Sequence, residues 1–164
     1  MPASDFLWWI ALLPLLGSSV CGALHLHAVS LRRKSPDADG LAPLAGAIAT
    51  LAIGASLALA LLGFAELRGL EPAARVLTST PWRWIATGPL DFEVGMVLDP
   101  LSSVMTLVIC GVGFLIHVYS IGYMRGDAGF AKFFAFLNLF VFAMLILVLS
   151  SSLLGLFVCW EGVG

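Results

Sequence analysis

Long apolar runs separated by short polar stretches dominate the chain. Residues 6–31 form the first run, which closes on Arg32-Arg33-Lys34 and the polar Ser35-Pro36-Asp37-Ala38-Asp39-Gly40. Its length predicts a helix that crosses a hydrocarbon core about 30 Å thick with some tilt. Pro14 within it predicts a kink or local unwinding, because proline removes a backbone donor. Residues 41–64 form the second run, rich in Ala, Gly and Leu, with Gly46, Gly54 and Ala58 spaced for close helix packing.

The pattern changes over residues 66–98, which hold three arginines, four acids and several Pro and Gly. Trp82-Arg83-Trp84-Ile85-Ala86 and Leu90-Asp91-Phe92-Glu93-Val94 alternate with period two around Thr87-Gly88-Pro89, which predicts a β-hairpin. Its tryptophans also suit the membrane interface. Asp99 followed by Pro100 is a helix start, with a capping carboxylate and then proline at the first helical position. A third span over 101–121 follows, then a polar turn over 122–129 and a fourth span over 130–149. Ser150-Ser151-Ser152 is a weak break before 153–164, read as the start of a fifth helix. The predicted fold class is therefore all-α integral membrane: four transmembrane helices, the start of a fifth, and a short extracytoplasmic β-hairpin between helices 2 and 3. The chain divides into two N-terminal helices (1–64), the hairpin loop (65–98) and helices 3, 4 and the start of 5 (99–164).

Composition explains why the runs cannot be a soluble core. The 164 residues are 60% hydrophobic and 11% charged, with a mean hydropathy of +1.04. Soluble domains average about 45–50% apolar and about 25% charged. A net charge of −2 gives no basic footprint for nucleic acid. Cationic residues also orient the spans. Arg32, Arg33 and Lys34 precede the second span, and Arg125 and Lys132 lie at the third-to-fourth connection, so alternation puts both on one side, expected to be cytoplasmic. The N-terminus and the hairpin then lie outside, in a multi-pass inner (plasma) membrane protein. Met1 to Phe6 lack the positive residues of a secretory signal, so the first run reads as a retained helix.

Few residues carry candidate chemistry. Glu161 stands nine residues past Ser152, a depth of roughly 13 Å at 1.5 Å per residue. That is near the membrane midplane, where a carboxylate costs several kcal/mol and its default reading is functional. Such a carboxyl takes or releases protons according to the charges beside it. If residues 133–160 were instead one tilted helix, Glu161 would be an ordinary interfacial residue; the serine triplet and the excess length argue against this. His117, in the last third of the third span, is either a proton relay or a structural hydrogen-bonding group. Asn138 reads as an interhelical hydrogen-bonding residue. His25 and His27 read as interfacial, and Tyr119, Tyr123 and Trp160 as belt or packing aromatics. Cys21, Cys110 and Cys159 read as apolar fillers. Gly111 and Gly113 lie within a span and lack the nucleotide fingerprint.

Several separated motifs resemble one family in order and spacing. Leu98-Asp99-Pro100-Leu101-Ser102, the run from Gly113 to Met124, the run from Phe133 to Phe140, and Trp160-Glu161-Gly162-Val163-Gly164 are similar to the antiporter-like subunits of proton-pumping NADH–quinone oxidoreductase (respiratory complex I), especially its L-subunit family. The Trp-x-Trp and Asp-Phe hairpin fits as well. The match is strong from Trp82 to Gly164 and is mainly one of hydropathy before that. The resemblance implies that Glu161 is the proton-translocating carboxylate of the fifth helix, paired in the family with a lysine on a later helix. It also implies partnership with other complex I membrane subunits and the lipid bilayer. NADH, flavin, iron–sulfur clusters and quinone are expected on other subunits, with no cofactor, metal or direct NADH binding in this chain. Family members often carry Asp-Asn where this chain has Ser151-Ser152. They are also much longer, built from two inverted five-helix repeats. The chain is therefore expected to be an N-terminal fragment, inactive alone. Two other expectations are the large subunit of a multisubunit sodium/proton antiporter and a structural scaffold membrane protein.

Overall fold

The computed structural model describes residues 6–32, 42–87 and 90–164. Five helices and one two-stranded sheet follow in order: α1 (Phe6–Arg32), α2 (Ala42–Gly69), a 3₁₀ turn (Pro72–Ala74), β1 (Leu77–Thr87), β2 (Leu90–Leu98), α3 (Pro100–Tyr123), α4 (Phe130–Leu149) and α5 (Leu153–Val163). Four of the helices are long and apolar enough to cross a membrane. The four-helix arrangement and the hairpin between α2 and α3 agree with the expected fold class. The hairpin's turn at Gly88-Pro89 lies outside the described residues.

Several boundaries differ from the sequence reading, each for a physical reason. The second helix runs to Gly69 rather than ending at Phe64. Leu67 is buried in the core there, and the Arg68 guanidinium stands 6.0 Å from the Phe64 ring centroid. A basic residue in the last turn also complements the helix dipole. Pro14 lies inside α1 without ending it, as helices shielded by neighbours in a membrane tolerate. The strands are longer than the two five-residue segments predicted, and their register shifts between Ser79 and Trp82. Pro81 lies in that shift and has no N–H to give the ladder. Tight packing around Gly46 and Gly54 is present: a Cβ added at Gly46 would lie 2.9 Å from the Phe130 ring, and one at Gly54 would lie 3.2 Å from Phe114. Ala58 is exposed and takes no part in this packing. The buried stripe of α2 runs instead through Ala49, Ile53, Ser56 and Ala60.

The face that α3 turns into the bundle is small and largely polar, and its outer face is bulky and apolar. The buried residues of α3 are Ser103, Thr106, Cys110, Gly113, His117 and Ser120, at alternating spacings of three and four that trace one helix face. Its large side chains, Leu101, Val104, Val108, Val112 and Leu115 among them, point outward. In water this pattern would be unstable. In lipid, close approach of small residues and hydrogen bonds hold helices together, and the bulky chains meet solvent of their own kind. Two apolar clusters close the ends of the bundle. One gathers Leu7, Ile10, Ile53, Leu145 and Leu149 beneath Met96 and Leu98 of β2. The other gathers Cys21, Ala45, Ala49, Phe130 and Phe134.

Asp99 joins the hairpin to the bundle. Its Oδ1 accepts the Ser102 N–H at 2.7 Å, and the Ser102 hydroxyl accepts the Asp99 N–H at 2.8 Å. This reciprocal pair satisfies two otherwise orphaned donors. The Ser102 N–H, with smaller help from the Ser102 hydroxyl and the Leu101 N–H, holds the Asp99 carboxyl below its ordinary range against the opposing effect of burial. A depressed folded value gives stability that is complete above the unfolded value, about 3.9, and is lost as pH falls through the folded one. Asp99→Ala should therefore cost about 1 kcal/mol at neutral pH, and the difference from wild type should vanish in strong acid. Asp99→Asn should retain the cap and lose the pH dependence. Unfolding in detergent micelles across an acid pH series reads both effects.

Candidate functional site around Glu161 and the buried His117–Asn138 node

The α4–α5 connection is built from serines. Ser150 ends α4 in an extended conformation, and its hydroxyl donates to the Ser152 carbonyl at 3.0 Å. The Ser152 hydroxyl accepts the Gly155 N–H at 3.2 Å and caps α5. Strand β2 clamps this turn from the side. Met96 and Ser150 form an isolated antiparallel bridge, and the Ser151 N–H donates to the Gly95 carbonyl at 3.0 Å. A single tilted helix over 133–160 is thereby excluded: α4 ends at Leu149 and α5 begins afresh at Leu153.

Glu161 is thus carried roughly 13 Å from the Ser152 cap. It is exposed, on the α5 face shared with Leu153, Phe157 and Trp160. The adjacent Gly162 turns toward α4, where an added Cβ would lie 3.9 Å from Ala143. Among the described residues no cation pairs with Glu161.

His117 and Asn138 form a separate polar node. Both are fully buried. The His117 Nδ1 lies 2.7 Å from the Gly113 carbonyl. A carbonyl only accepts, so Nδ1 carries the proton and Nε2 is left as an acceptor; among the described residues no partner meets Nε2. Asn138 donates through Nδ2 to the Phe134 carbonyl at 3.2 Å, and among the described residues its Oδ1 has no partner. Phe134 links the two, with its ring centroid 5.9 Å from that of His117. Gly17 is what lets α1 close over the node. A Cβ there would lie 2.9 Å from the Ala52 Cβ and 3.2 Å from the Asn138 Oδ1. Asn138 thus packs under Gly17 of α1, but its hydrogen bond stays within α4, so among the described residues it does not make the interhelical hydrogen bond that its place in the fourth span suggested.

The two predicted site residues are not brought together. His117 lies at the level of Phe134, and Glu161 is next to the residue that meets Ala143. Nine residues of α4 separate those levels, about 13 Å along the axis. The clamp by Gly95 was missed in the sequence, although a glycine inside an alternating strand is a signal for close backbone approach. Among the described residues no three His, Cys, Asp or Glu side chains converge to hold a metal.

The clamp has a direct test. A Cβ at Gly95 would lie 2.7 Å from the Ser151 Oγ and 2.6 Å from the Thr80 Cγ2. Gly95→Val should therefore destabilise the protein by about 1–3 kcal/mol and raise hydrogen exchange at the Ser151 and Gly155 amides. Gly111→Ala, where an added Cβ meets nothing within 4 Å, should leave both unchanged.

Known proteins match this arrangement in sequence. The family model for the N-terminus of chain 5 of NADH–ubiquinone oxidoreductase (complex I) matches residues 84–134. NADH-quinone oxidoreductase subunit L of Mycobacterium tuberculosis is 38% identical over 162 residues, covering 98% of this chain and 23% of that protein. The Escherichia coli subunit L is 48% identical over 83 residues, covering 51% of this chain and 14% of that protein. The chloroplastic NAD(P)H-quinone oxidoreductase subunit 5 of Chlorokybus atmophyticus is 36% identical over 159 residues, covering 97% of this chain and 23% of that protein. The chain spans less than a quarter of the length of these relatives. With four apolar spans, the hairpin and matches over nearly its whole length, it belongs to the family of antiporter-like L subunits of NADH–quinone oxidoreductase, whose N-terminal part it resembles.

Proposed function

We propose that the protein contributes to proton translocation in a membrane-embedded NADH–quinone oxidoreductase. Electron transfer from NADH to quinone on other subunits would drive the movement. The observation that carries this reading is the position of Glu161, roughly 13 Å from the start of its helix with no cation beside it among the described residues. A carboxyl at that depth is costly unless a partner meets it, and its default reading is functional. The partner would come from a helix outside these residues, so residues 1–164 by themselves would translocate nothing. His117 would take a secondary relay position through its Nε2 acceptor, which has no partner among the described residues. At a separation of about 13 Å it would need intervening groups or water to exchange a proton with Glu161. NADH, flavin, iron–sulfur clusters and quinone belong in this reading to partner subunits.

Arg32, Arg33, Lys34, Arg125 and Lys132 favour a cytoplasmic placement for the ends of α1 and α3 and the start of α4. The N-terminus and hairpin then face outward. A Thr87→Cys variant tests this, since Thr87 is exposed at the end of β1. It should react with a membrane-impermeant maleimide added to intact cells, and a failure to label until the cells are opened would reverse the orientation.

Glu161 is tested in the whole complex. Inverted membrane vesicles energised with NADH should show a lower proton-to-electron ratio for Glu161→Gln, with complex assembly unchanged and NADH oxidation still measurable. Glu161→Asp should retain part of the ratio. An unchanged ratio in Glu161→Gln would support a scaffold role instead.

A further inference from the structure

A groove of about 310 Å³ lies between α1 and α4, lined in part by Gly22, His25 and Leu26 from one helix and Lys132, Phe136 and Leu139 from the other. It is distinct from Glu161 and from the His117–Asn138 node. We propose that it binds an anionic phospholipid, with the phosphate at Lys132 and His25 and an acyl chain along the apolar floor.

The groove has the polarity of such a lipid. Lys132 stands in the first turn of α4, at the end of the bundle where α1 finishes. Leu139 is seven residues deeper, about 10 Å along the helix. The mouth is therefore cationic and the interior is hydrocarbon. Lys132 is folded back over the groove, with its Nζ 5.9 Å from the Phe136 ring centroid. Among the described residues no carboxylate pairs with Lys132 or His25. Asp127, the acid nearest in sequence, accepts the Gly129 N–H at 2.6 Å within its own turn.

The floor exists because position 22 lacks a side chain: a Cβ there would meet nothing within 4 Å. The bulky exposed Leu26 and Phe136 at the rim contrast with the small residues that let a further helix approach closely. An apolar floor under an unpaired ammonium suits a lipid better than it suits a free anion or another helix. Arg125 is exposed in the adjoining turn, and Arg32-Arg33-Lys34 follow α1 in sequence. This is the charge pattern that draws anionic headgroups to one leaflet.

The test uses the full protein in its own complex, reconstituted in phosphatidylcholine nanodiscs with a minor fraction of photoactivatable phosphatidylglycerol. Crosslinks should map to peptides containing residues 22–26 and 132–139. Lys132→Gln should reduce them roughly fivefold, from about 1 kcal/mol per basic residue near an anionic surface, and Lys132→Arg should restore them. Gly22→Leu should fill the groove and reduce crosslinking without lowering the thermal midpoint. Equal labelling by a photoactivatable phosphatidylcholine, displacement by inorganic phosphate, indifference to Lys132→Gln, or crosslinking of Gly22→Cys to another polypeptide would each overturn the assignment.

Discussion

The hydrogen bond from the Ser151 N–H to the Gly95 carbonyl, 3.0 Å long, fixes the element on which the proposed chemistry depends. It holds the backbone extended between two helices that would otherwise run together as one apolar rod. Ser150 and Ser152 then supply the polar groups that the two helix ends leave open. Moving that break by one turn would shift Glu161 by about 5 Å in depth. The hairpin, which lies outside the spans, therefore acts on the membrane interior through one strand. Met96 and Leu98 anchor it in the end cluster of the bundle, and the Asp99–Ser102 cap delivers β2 into α3.

The rest of the bundle follows from lipid as solvent. With no hydrophobic gain from burying leucines away from hydrocarbon, helices approach where side chains are small. They are held by dispersion and by polar contacts made in the gaps. At Gly17 and Gly46 an added side chain would collide with another helix, and at Gly54 it would crowd Phe114 of α3. Asn138 and His117 occupy the middle of this close-packed interior, between the two apolar clusters. Each uses one polar atom on its own helix backbone and leaves one without a partner among the described residues. Buried acceptors without partners are costly, and the close approach of α1 at Gly17 leaves no room beside the Asn138 oxygen for a side chain to pair with it. Glu161 differs, because it is exposed on the outer face of α5.

The period and length of the apolar runs determined the four spans, because the thickness of a bilayer leaves few other uses for twenty consecutive apolar residues. Alternation around Thr87 determined the hairpin, and Asp99-Pro100 determined where α3 begins, since capping and strand period are local properties of neighbouring residues. Glu161 was legible for the same reason: an acid in such surroundings is conspicuous. Only the tertiary structure decided which glycines and alanines meet a neighbour, so Ala58 proved exposed while Gly17, unremarked in the sequence, closes over Asn138. It also decided that the serine triplet is a true break, through a strand more than fifty residues earlier in the chain. The level difference between His117 and Glu161 arose in the same way. These features depend on contacts between segments distant in sequence, and a local pattern carries no record of which partner a small residue will face.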